Sequence, residues 1–226
     1  MTKSADKIKT TIQTLQNTHE KSTIELFVKA FCDSEPLTKH LKITYKDYEP
    51  FANEVVKKAI KDGMSVVALD ENNRVIACTI GEDITDPFHP VMSKYPKMGP
   101  IFAFIDTVSE PFLSNKKFVK GKIDHIWISI THPEFRGQGL STKIDMACAE
   151  LAAKKGFEFS YTEFTNVPSE KIAHHYPVNK LMNTVKFEEF TWKGQTPFKG
   201  LKGESHAYLI GIKPGIKLDA LQHCYK

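Results

Sequence analysis

The segment from Arg136 to Thr142 carries the residue types of an anion-binding turn. It reads Arg-Gly-Gln-Gly-Leu-Ser-Thr and lies between an apolar strand pattern and an amphipathic helix pattern. The first turn of a helix has N–H groups without intrahelical partners, and glycines let a phosphate approach that backbone closely. The spacing therefore predicts a site for a phosphate or pyrophosphate group.

Two other interpretations of this turn are open. Gly137 and Gly139 would also suit a tight strand-to-helix turn with no ligand, which is the usual meaning of a lone G-x-G. A dinucleotide-binding fold is disfavoured, because the third glycine of its fingerprint is missing and the segment is not near the N terminus. The complete motif from Arg136 to Ser141, and not the glycine pair alone, decides between these interpretations.

The whole string resembles the signature of the GNAT superfamily of N-acetyltransferases. That signature is Gln or Arg, two residues, Gly, one residue, then Gly or Ala; here Ser141 stands at the last position. The resemblance implies acetyl-CoA as co-substrate. It implies that the CoA pyrophosphate is held by the backbone N–H groups of Arg136, Gly137, Gln138, Gly139, Leu140, Ser141 and Thr142.

The strand before the turn has a role by the same resemblance. Ile128, Ser129 and Ile130 would run alongside the pantetheine arm and pair with it as a neighbouring strand would. The N–H of Ser129 or Ile130 would polarise the thioester carbonyl.

Three further segments resemble the arylalkylamine N-acetyltransferase-like enzymes of insects and nematodes. They are residues 31–37 (FCDSEPL), 104–112 (FIDTVSEPF) and 181–187 (LMNTVKF). The resemblance implies direct acetyl transfer to a small amine, arylalkylamine or polyamine-like, without a metal or a covalent enzyme intermediate. A protein N-terminal or lysine acetyltransferase and a non-catalytic CoA-binding sensor domain remain the alternatives.

An acetyltransferase of this kind needs a base. A primary amine has a pKa near ~10, so about one molecule in a thousand is neutral at pH 7, a penalty of roughly 4 kcal/mol. Only the neutral amine attacks a thioester, and a positioned side chain can remove the proton. By the resemblance, Glu35 in the E-P-L stretch is that base; a solvated carboxylate at a helix end is the commoner fate of a glutamate.

The acid that protonates the leaving thiolate is less defined. The position of the usual family tyrosine is occupied by Met182, which cannot donate a proton. Tyr176 is the substitute by residue type, with Tyr161 as another, although a packing role suits either tyrosine. Asp106 could pair with a cationic substrate or be an ordinary exposed carboxylate.

The composition is that of one soluble globular domain. The chain has 226 residues, of which 41% are hydrophobic and 26% charged, and its formal net charge is +4. The lysines are scattered, which disfavours nucleic-acid binding, and no run approaches the roughly 20 apolar residues of a membrane span. Four distant cysteines without a C-x-x-C pair favour reduced thiols in a cytoplasmic protein and no metal site. The oligomeric state is left open.

The elements that must position these residues follow from periodicity. We expect a single α/β domain, with a twisted mixed sheet flanked by helices on both faces. The predicted strands are residues 8–15, 64–69, 74–80, 123–131, 157–164, 187–192 and 205–212. The predicted helices are residues 18–31 (capped by Thr18), 48–61, 101–113 (broken at Pro111), 137–155 and 179–185. The proline-rich segment 81–122 is expected to be a capping insertion.

Overall fold

The apolar alternations of the chain become one seven-stranded mixed sheet in the computed structural model, which describes residues 9–226. The strands are β1 Thr11–Thr14, β2 Val66–Leu69, β3 Val75–Asp83, β4 Ile123–Thr131, β5 Phe159–Phe164, β6 Asn179–Lys186 and β7 Glu204–Gly211. Their order across the sheet is β1-β2-β3-β4-β5-β7-β6. Among the strands that the structure describes, β4 and β5 alone pair in parallel. The predicted mixed α/β fold is confirmed; the first predicted strand residue, Ile8, lies outside the described residues.

Helices cover both faces of this sheet, as predicted. They are α1 Glu20–Ser34, α2 Pro36–His40, α3 Tyr45–Asp62, α4 Gly99–Leu113, α5 Leu140–Lys154 and α6 Val167–Glu170. Helices α1 and α3 bury their apolar stripes against one face of β3 and β4, and α4 lies over β5, β7 and β6. Helix α5 packs on the opposite face, against β2, β3 and β4.

Two secondary-structure predictions for the segment 179–192 are wrong. Residues 179–185 form the edge strand β6 and not a helix, and residues 187–192 begin with a 3-10 turn, Phe187–Glu189, in place of a strand. Strand β6 has no buried residue and carries a register shift between Leu181 and Asn183. The hydrophobic pattern of this segment therefore matches neither the strand period nor the helix period clearly. Pairing with β7 makes it a strand.

Two helix boundaries also differ from the prediction. Thr18 lies in a 3-10 turn, and α1 begins at Glu20. Pro111 does not break α4, which continues to Leu113. A proline removes the hydrogen bond to the carbonyl four residues earlier. Here the Asn183 side chain from β6 approaches that carbonyl, of Thr107, at 3.4 Å and donates to the carbonyl of Val108 at 2.9 Å.

Candidate active site

Strands β4 and β5 separate after a short parallel pairing. The pairing covers only Ile123–His125 of β4 and Phe159–Tyr161 of β5. Beyond it β4 continues to Thr131 and β5 to Phe164 with no strand between them in the described part of the chain. The sheet therefore has a wedge-shaped opening, with one strand on each side.

A bulge at Trp127 reshapes β4 along this opening. Ile80 of β3 lies opposite Ile128, whereas the next residue, Gly81, lies opposite Ile126, so Trp127 is the extra residue. Such a bulge bends the strand and reverses the alternation of its side chains. Ile126 accordingly packs in the core under α5, whereas Ile128 and Trp127 pack on the side of α1 and α3.

The main-chain groups of β4 that face the opening follow from its register. The His132 N–H donates to the Ile76 carbonyl of the neighbouring chain segment at 2.8 Å. Alternate residues of a strand direct their main-chain groups to opposite sides, so Ile130 pairs with β3 while Ser129 and Thr131 face the opening. In agreement, the Thr131 carbonyl accepts a hydrogen bond from Arg136 Nε at 3.2 Å. Of the two predicted donors, Ser129 is the one directed at the opening.

The predicted anion turn lies at the end of β4. Gly137 and Gly139 have φ of 76° and 72°, the left-handed region that costs other residues about 1–2 kcal/mol. A Cβ at either position would meet no atom within 4 Å, so backbone conformation is what requires glycine there. Helix α5 begins at Leu140, three residues later than predicted, because these two glycines precede it and are not part of it.

The first turn of α5 suits an anion. Gly139 is the N-cap of the helix and supplies no side-chain acceptor for the N–H groups of the first turn. The positive end of the helix dipole adds to these donors. Arg136 is exposed and its Nη1 donates to Ser34 Oγ at 3.0 Å, which ties the turn to the end of α1. The predicted donor at Arg136 is wrong, because its N–H donates to the Pro133 carbonyl at 3.3 Å; the N–H groups from Gly137 to Thr142 are the ones that fit a pyrophosphate.

Glu35 connects α1 and α2 to the β5 side of the opening. Pro36 starts α2, and Glu35 caps that helix. Its Oε2 accepts from the N–H and the hydroxyl of Thr38, both at 2.7 Å. Its Oε1 accepts from the hydroxyl of Thr165, the residue after β5, at 3.1 Å. Sequence patterns indicated Glu35 but not Thr165, which is 130 residues away along the chain.

Tyr176 lies away from the opening between β4 and β5. It is 8% exposed in the core between α5 and the sheet, and its hydroxyl donates to Asp145 Oδ1 at 2.8 Å. Burial raises the pKa of Asp145 to about 6, although the Tyr176 hydrogen bond opposes the change. Burial and the Asp145 charge also raise the pKa of Tyr176. Because Tyr176 lies on the α5 face and Glu35 on the other, the geometry gives no support to Tyr176 as the thiolate acid.

A buried charge cluster lies where β4 and β5 begin to separate, and the sequence did not reveal it. His125 Nε2 is 2.8 Å from Glu163 Oε2, and its Nδ1 is 3.3 Å from Glu82 Oε1. Both carboxylate side chains are 4% exposed. Burial alone would lower the pKa of His125, but the two glutamates outweigh it and raise that pKa to about 10. His125 is therefore an imidazolium at neutral pH.

Further polar and aromatic groups line the same region. Ser109 of α4 donates to Glu163. The Trp127 indole stacks on Phe88 at 5.9 Å and on His125 at 6.4 Å between ring centroids. Its Nε1 is buried with no hydrogen-bond partner among the described residues, and the buried hydroxyl of Tyr161 lies close to Ser109. No sequence signal predicted this arrangement, because its members come from four separate elements.

One group of potential metal ligands occurs within residues 9–226. Ligand atoms of Glu158, His223 and Cys224 lie within 4.8 Å of one another. The Lys122 and Lys213 ammonium groups are 2.7 Å and 3.4 Å from Glu158 Oε1. The Lys122 and His223 hydrogen bonds and the lysine charges lower the pKa of Glu158 to about 2. Because cations already compensate this carboxylate, we assign no metal to the cluster.

Comparison with known proteins gives a fold relationship. No protein-family model and no curated protein sequence matches the chain. Among solved structures, the C-terminal condensation domain of Ebony in complex with beta-alanyl-dopamine is 18% identical, with a TM-score of 0.82 over 90% of this chain and 99% of that one. Arylalkylamine N-acetyltransferase 2 of Aedes aegypti is 16% identical, with a TM-score of 0.74 over 91% and 100% of the two chains.

A third structural relative broadens the group. The polyamine N-acetyltransferase of Drosophila melanogaster, which forms N-acetylagmatine, is 16% identical, with a TM-score of 0.68 over 90% of this chain and 100% of that one. These likenesses extend over nearly the whole of each chain. The protein therefore has the GNAT fold, in the form found in arylalkylamine N-acetyltransferases. Among residues 9–226, no helix is both long and apolar enough to cross a membrane.

Proposed function

We propose that this protein is an acetyl-CoA-dependent N-acetyltransferase that acts on the amine of a small molecule, arylalkylamine or polyamine-like. One observation carries the proposal: the glycine turn at the start of α5 and the open edge of β4 adjoin along a single opening in the sheet. An anion site beside an unpaired strand edge suits a cofactor with a pyrophosphate and an amide-bearing arm. The amine acetyltransferases that share the fold support the same activity.

Acetyl-CoA would be held by residues along this opening. The N–H groups from Gly137 to Thr142 bind the pyrophosphate, since the Arg136 N–H donates to the Pro133 carbonyl. The β4 edge from Ile128 to Ile130 lies alongside the pantetheine arm, and Ser129 supplies the main-chain groups that face it. Bound acetyl-CoA supplies an acetyl thioester as the group donor. The Ser129 N–H, directed at the opening, is the donor for the thioester carbonyl.

Glu35 is the base in this proposal. Its Oε2 is occupied by two Thr38 donors, whereas Oε1 has only the Thr165 hydroxyl and keeps an acceptor position for the proton of the substrate amine. The hydrogen bonds from Thr38 and Thr165 fix the carboxylate between the α1–α2 corner and β5. We assign no side chain as the thiolate acid; a thiol pKa near ~8.5 makes protonation by water feasible.

Segment 81–122 would act as the cap over a small acceptor pocket. Phe88 in this segment is anchored by its N–H, which donates to Glu82 Oε2 at 2.7 Å, and its ring covers Trp127. Helix α4 closes another side through the Ser109 hydrogen bond to Glu163. A cap of this kind would suit a small amine better than an extended peptide. The four cysteines are free thiols, which supports a reducing compartment such as the cytoplasm.

The direct test measures CoA thiol release from acetyl-CoA with a panel of arylalkylamines, polyamines and lysine-bearing peptides. The proposal expects release with a small-amine class and none above hydrolysis with peptides. Turnover of peptides alone would favour the protein-acetyltransferase alternative. A thermal shift with acetyl-CoA but no turnover would favour the sensor alternative.

The anion turn can be tested separately with a matched pair of variants, Gly137→Asp and Gly137→Asn. Asn and Asp both tolerate the left-handed conformation, and space for a Cβ is available at this position. The added carboxylate of the Asp variant should abolish most of the melting-temperature increase caused by acetyl-CoA, while the neutral Asn variant keeps more of it. Equal shifts in the two variants would show that the pyrophosphate does not bind here.

A further inference from the structure

The Arg136 side chain links two segments that lie 102 residues apart in the chain. Its Nε donates to the Thr131 carbonyl at 3.2 Å, on the edge of β4 that faces the opening, and its Nη1 donates to Ser34 Oγ at 3.0 Å. A guanidinium is planar and carries its donors in a rigid fork, so two hydrogen bonds fix its plane. Through Arg136, the position of Ser34 is therefore set relative to β4.

Ser34 and the proposed base Glu35 are consecutive residues at the corner where α1 ends and α2 begins. The Ser34 hydroxyl accepts from Arg136, which follows β4. The Glu35 carboxylate accepts from the hydroxyl of Thr165, which follows β5. The corner between α1 and α2 therefore bridges the two strands at the end where they have separated.

A single hydrogen bond ties this corner to the β4 side of the opening. Among residues 9–226, the bond from Arg136 to Ser34 is the only one between segments 31–40 and 123–142. The hydrogen-bonded link from Glu35 to β4 therefore runs through Ser34, whose Cα lies about 3.8 Å from that of Glu35. A base must lie within hydrogen-bond reach of the amine proton, and a displacement of about 1 Å can cost about a hundredfold in rate. Loss of this link should lower the rate of transfer.

We propose that Arg136 and Ser34 are positioning residues that set the distance between Glu35 and the edge of β4, where the Ser129 N–H faces the opening. This inference rests on the proposed function and adds a role for a side chain: the N–H groups of the turn bind the pyrophosphate, whereas the Arg136 guanidinium acts on the base through Ser34. In this role neither side chain contacts the reacting atoms. Lysine cannot replace Arg136, because its ammonium is a point charge without the fork that reaches Thr131 and Ser34 together.

The test measures kcat and both KM values from CoA thiol release, with the amine of highest turnover in the panel. Ser34→Ala should lower kcat by about tenfold, while KM for acetyl-CoA and the melting-temperature increase caused by acetyl-CoA stay as in wild type. Ser34→Thr keeps the hydroxyl and should restore most of the lost kcat. Arg136→Lys keeps the charge and should lose about as much as Ser34→Ala, with no further loss in the double variant. Ser114→Ala, which removes a hydroxyl at the end of α4, is the matched control and should behave as wild type.

A second comparison separates positioning of the base from a general structural role. In a Glu35→Gln background, Ser34→Ala should change kcat by less than about twofold, because the base that Ser34 positions is gone. An equally large loss in that background, an unchanged kcat in Ser34→Ala, or an Arg136→Lys variant that raises only KM for acetyl-CoA would overturn this role and leave the acetyltransferase proposal intact. Absence of turnover with every amine, alongside a normal thermal shift with acetyl-CoA, would contradict the proposed function and this inference with it.

Discussion

Replacing Glu35 by Gln removes the proposed base and keeps the shape of the side chain. The Gln carbonyl oxygen can accept the two Thr38 hydrogen bonds that Oε2 accepts now. The amide NH2 then meets the Thr165 hydroxyl, which can reverse its role and accept. The N-cap of α2 is retained, so we expect the free energy of unfolding to change by less than about 1 kcal/mol.

The effect on activity should be large at neutral pH. About one amine molecule in a thousand is neutral at pH 7, and general-base catalysis is typically worth 10²- to 10⁴-fold. We therefore expect kcat/KM of Glu35→Gln to fall by about 10²- to 10³-fold at pH 7. Since the neutral amine increases tenfold per pH unit, the variant should recover as pH rises toward the pKa of the amine.

The assay is a pH profile of kcat/KM from CoA thiol release, between pH 6 and pH 9, for wild type and Glu35→Gln. A melting temperature within a few degrees of wild type serves as the folding control. Thr165→Val, which removes only one hydrogen bond to Oε1, should give a smaller loss and keep the wild-type shape of the profile. If Glu35→Gln keeps wild-type activity throughout this range, another group or water is the base.

Two further predictions concern stability. Asp145→Asn should stabilise the protein by about 3 kcal/mol at pH 8. The pKa of Asp145 is about 6 in the folded state against an ordinary 3.8, so ionisation of this buried carboxylate lowers the free energy of unfolding as pH rises from about 4 to 6. Chemical denaturation should show the gain at pH 8 and not at pH 4, and an equal effect at both would refute this account. His125→Gln should destabilise by about 3–5 kcal/mol at pH 7, since it leaves Glu82 and Glu163 buried without their cation. In wild type, the contribution of the charged His125 to the free energy of unfolding is fully present below pH 6.5 and is lost toward pH 10. The difference in unfolding free energy between variant and wild type should therefore narrow across that range. A constant difference would contradict this prediction.

Predictability from sequence differed between the interior and the edge of the sheet. Strand β4 has the bounds predicted for it, and the hairpin of β2 and β3 was predicted to within a few residues. Buried elements keep a clear hydrophobic period because one face must be apolar. Edge strand β6 lacks that constraint, and its alternation is disturbed by the register shift beside Leu181. It was therefore mistaken for a helix.

The candidate site divides in a similar way. The turn from Arg136 to Thr142 and Glu35 are encoded in short strings, since a turn or a cap depends on neighbouring residues. The cluster of His125 with Glu82 and Glu163 joins residues far apart in the chain, and only the order of β3, β4 and β5 brings them together. Residue type alone also could not show that Tyr176 is hydrogen-bonded to Asp145 in the core.

The amino-acid sequence is sufficient to predict the α/β class, the strand-turn-helix unit around Gly137 and Gly139, and the position of Glu35 at a helix boundary. These features depend on local backbone preferences and on periodicity. The bulge at Trp127, the extent of the pairing between β4 and β5, and the contacts of Glu82 and Glu163 with His125 are visible only in the folded structure. Those depend on strand pairing and packing between distant segments, whose free energies leave no local pattern in the chain.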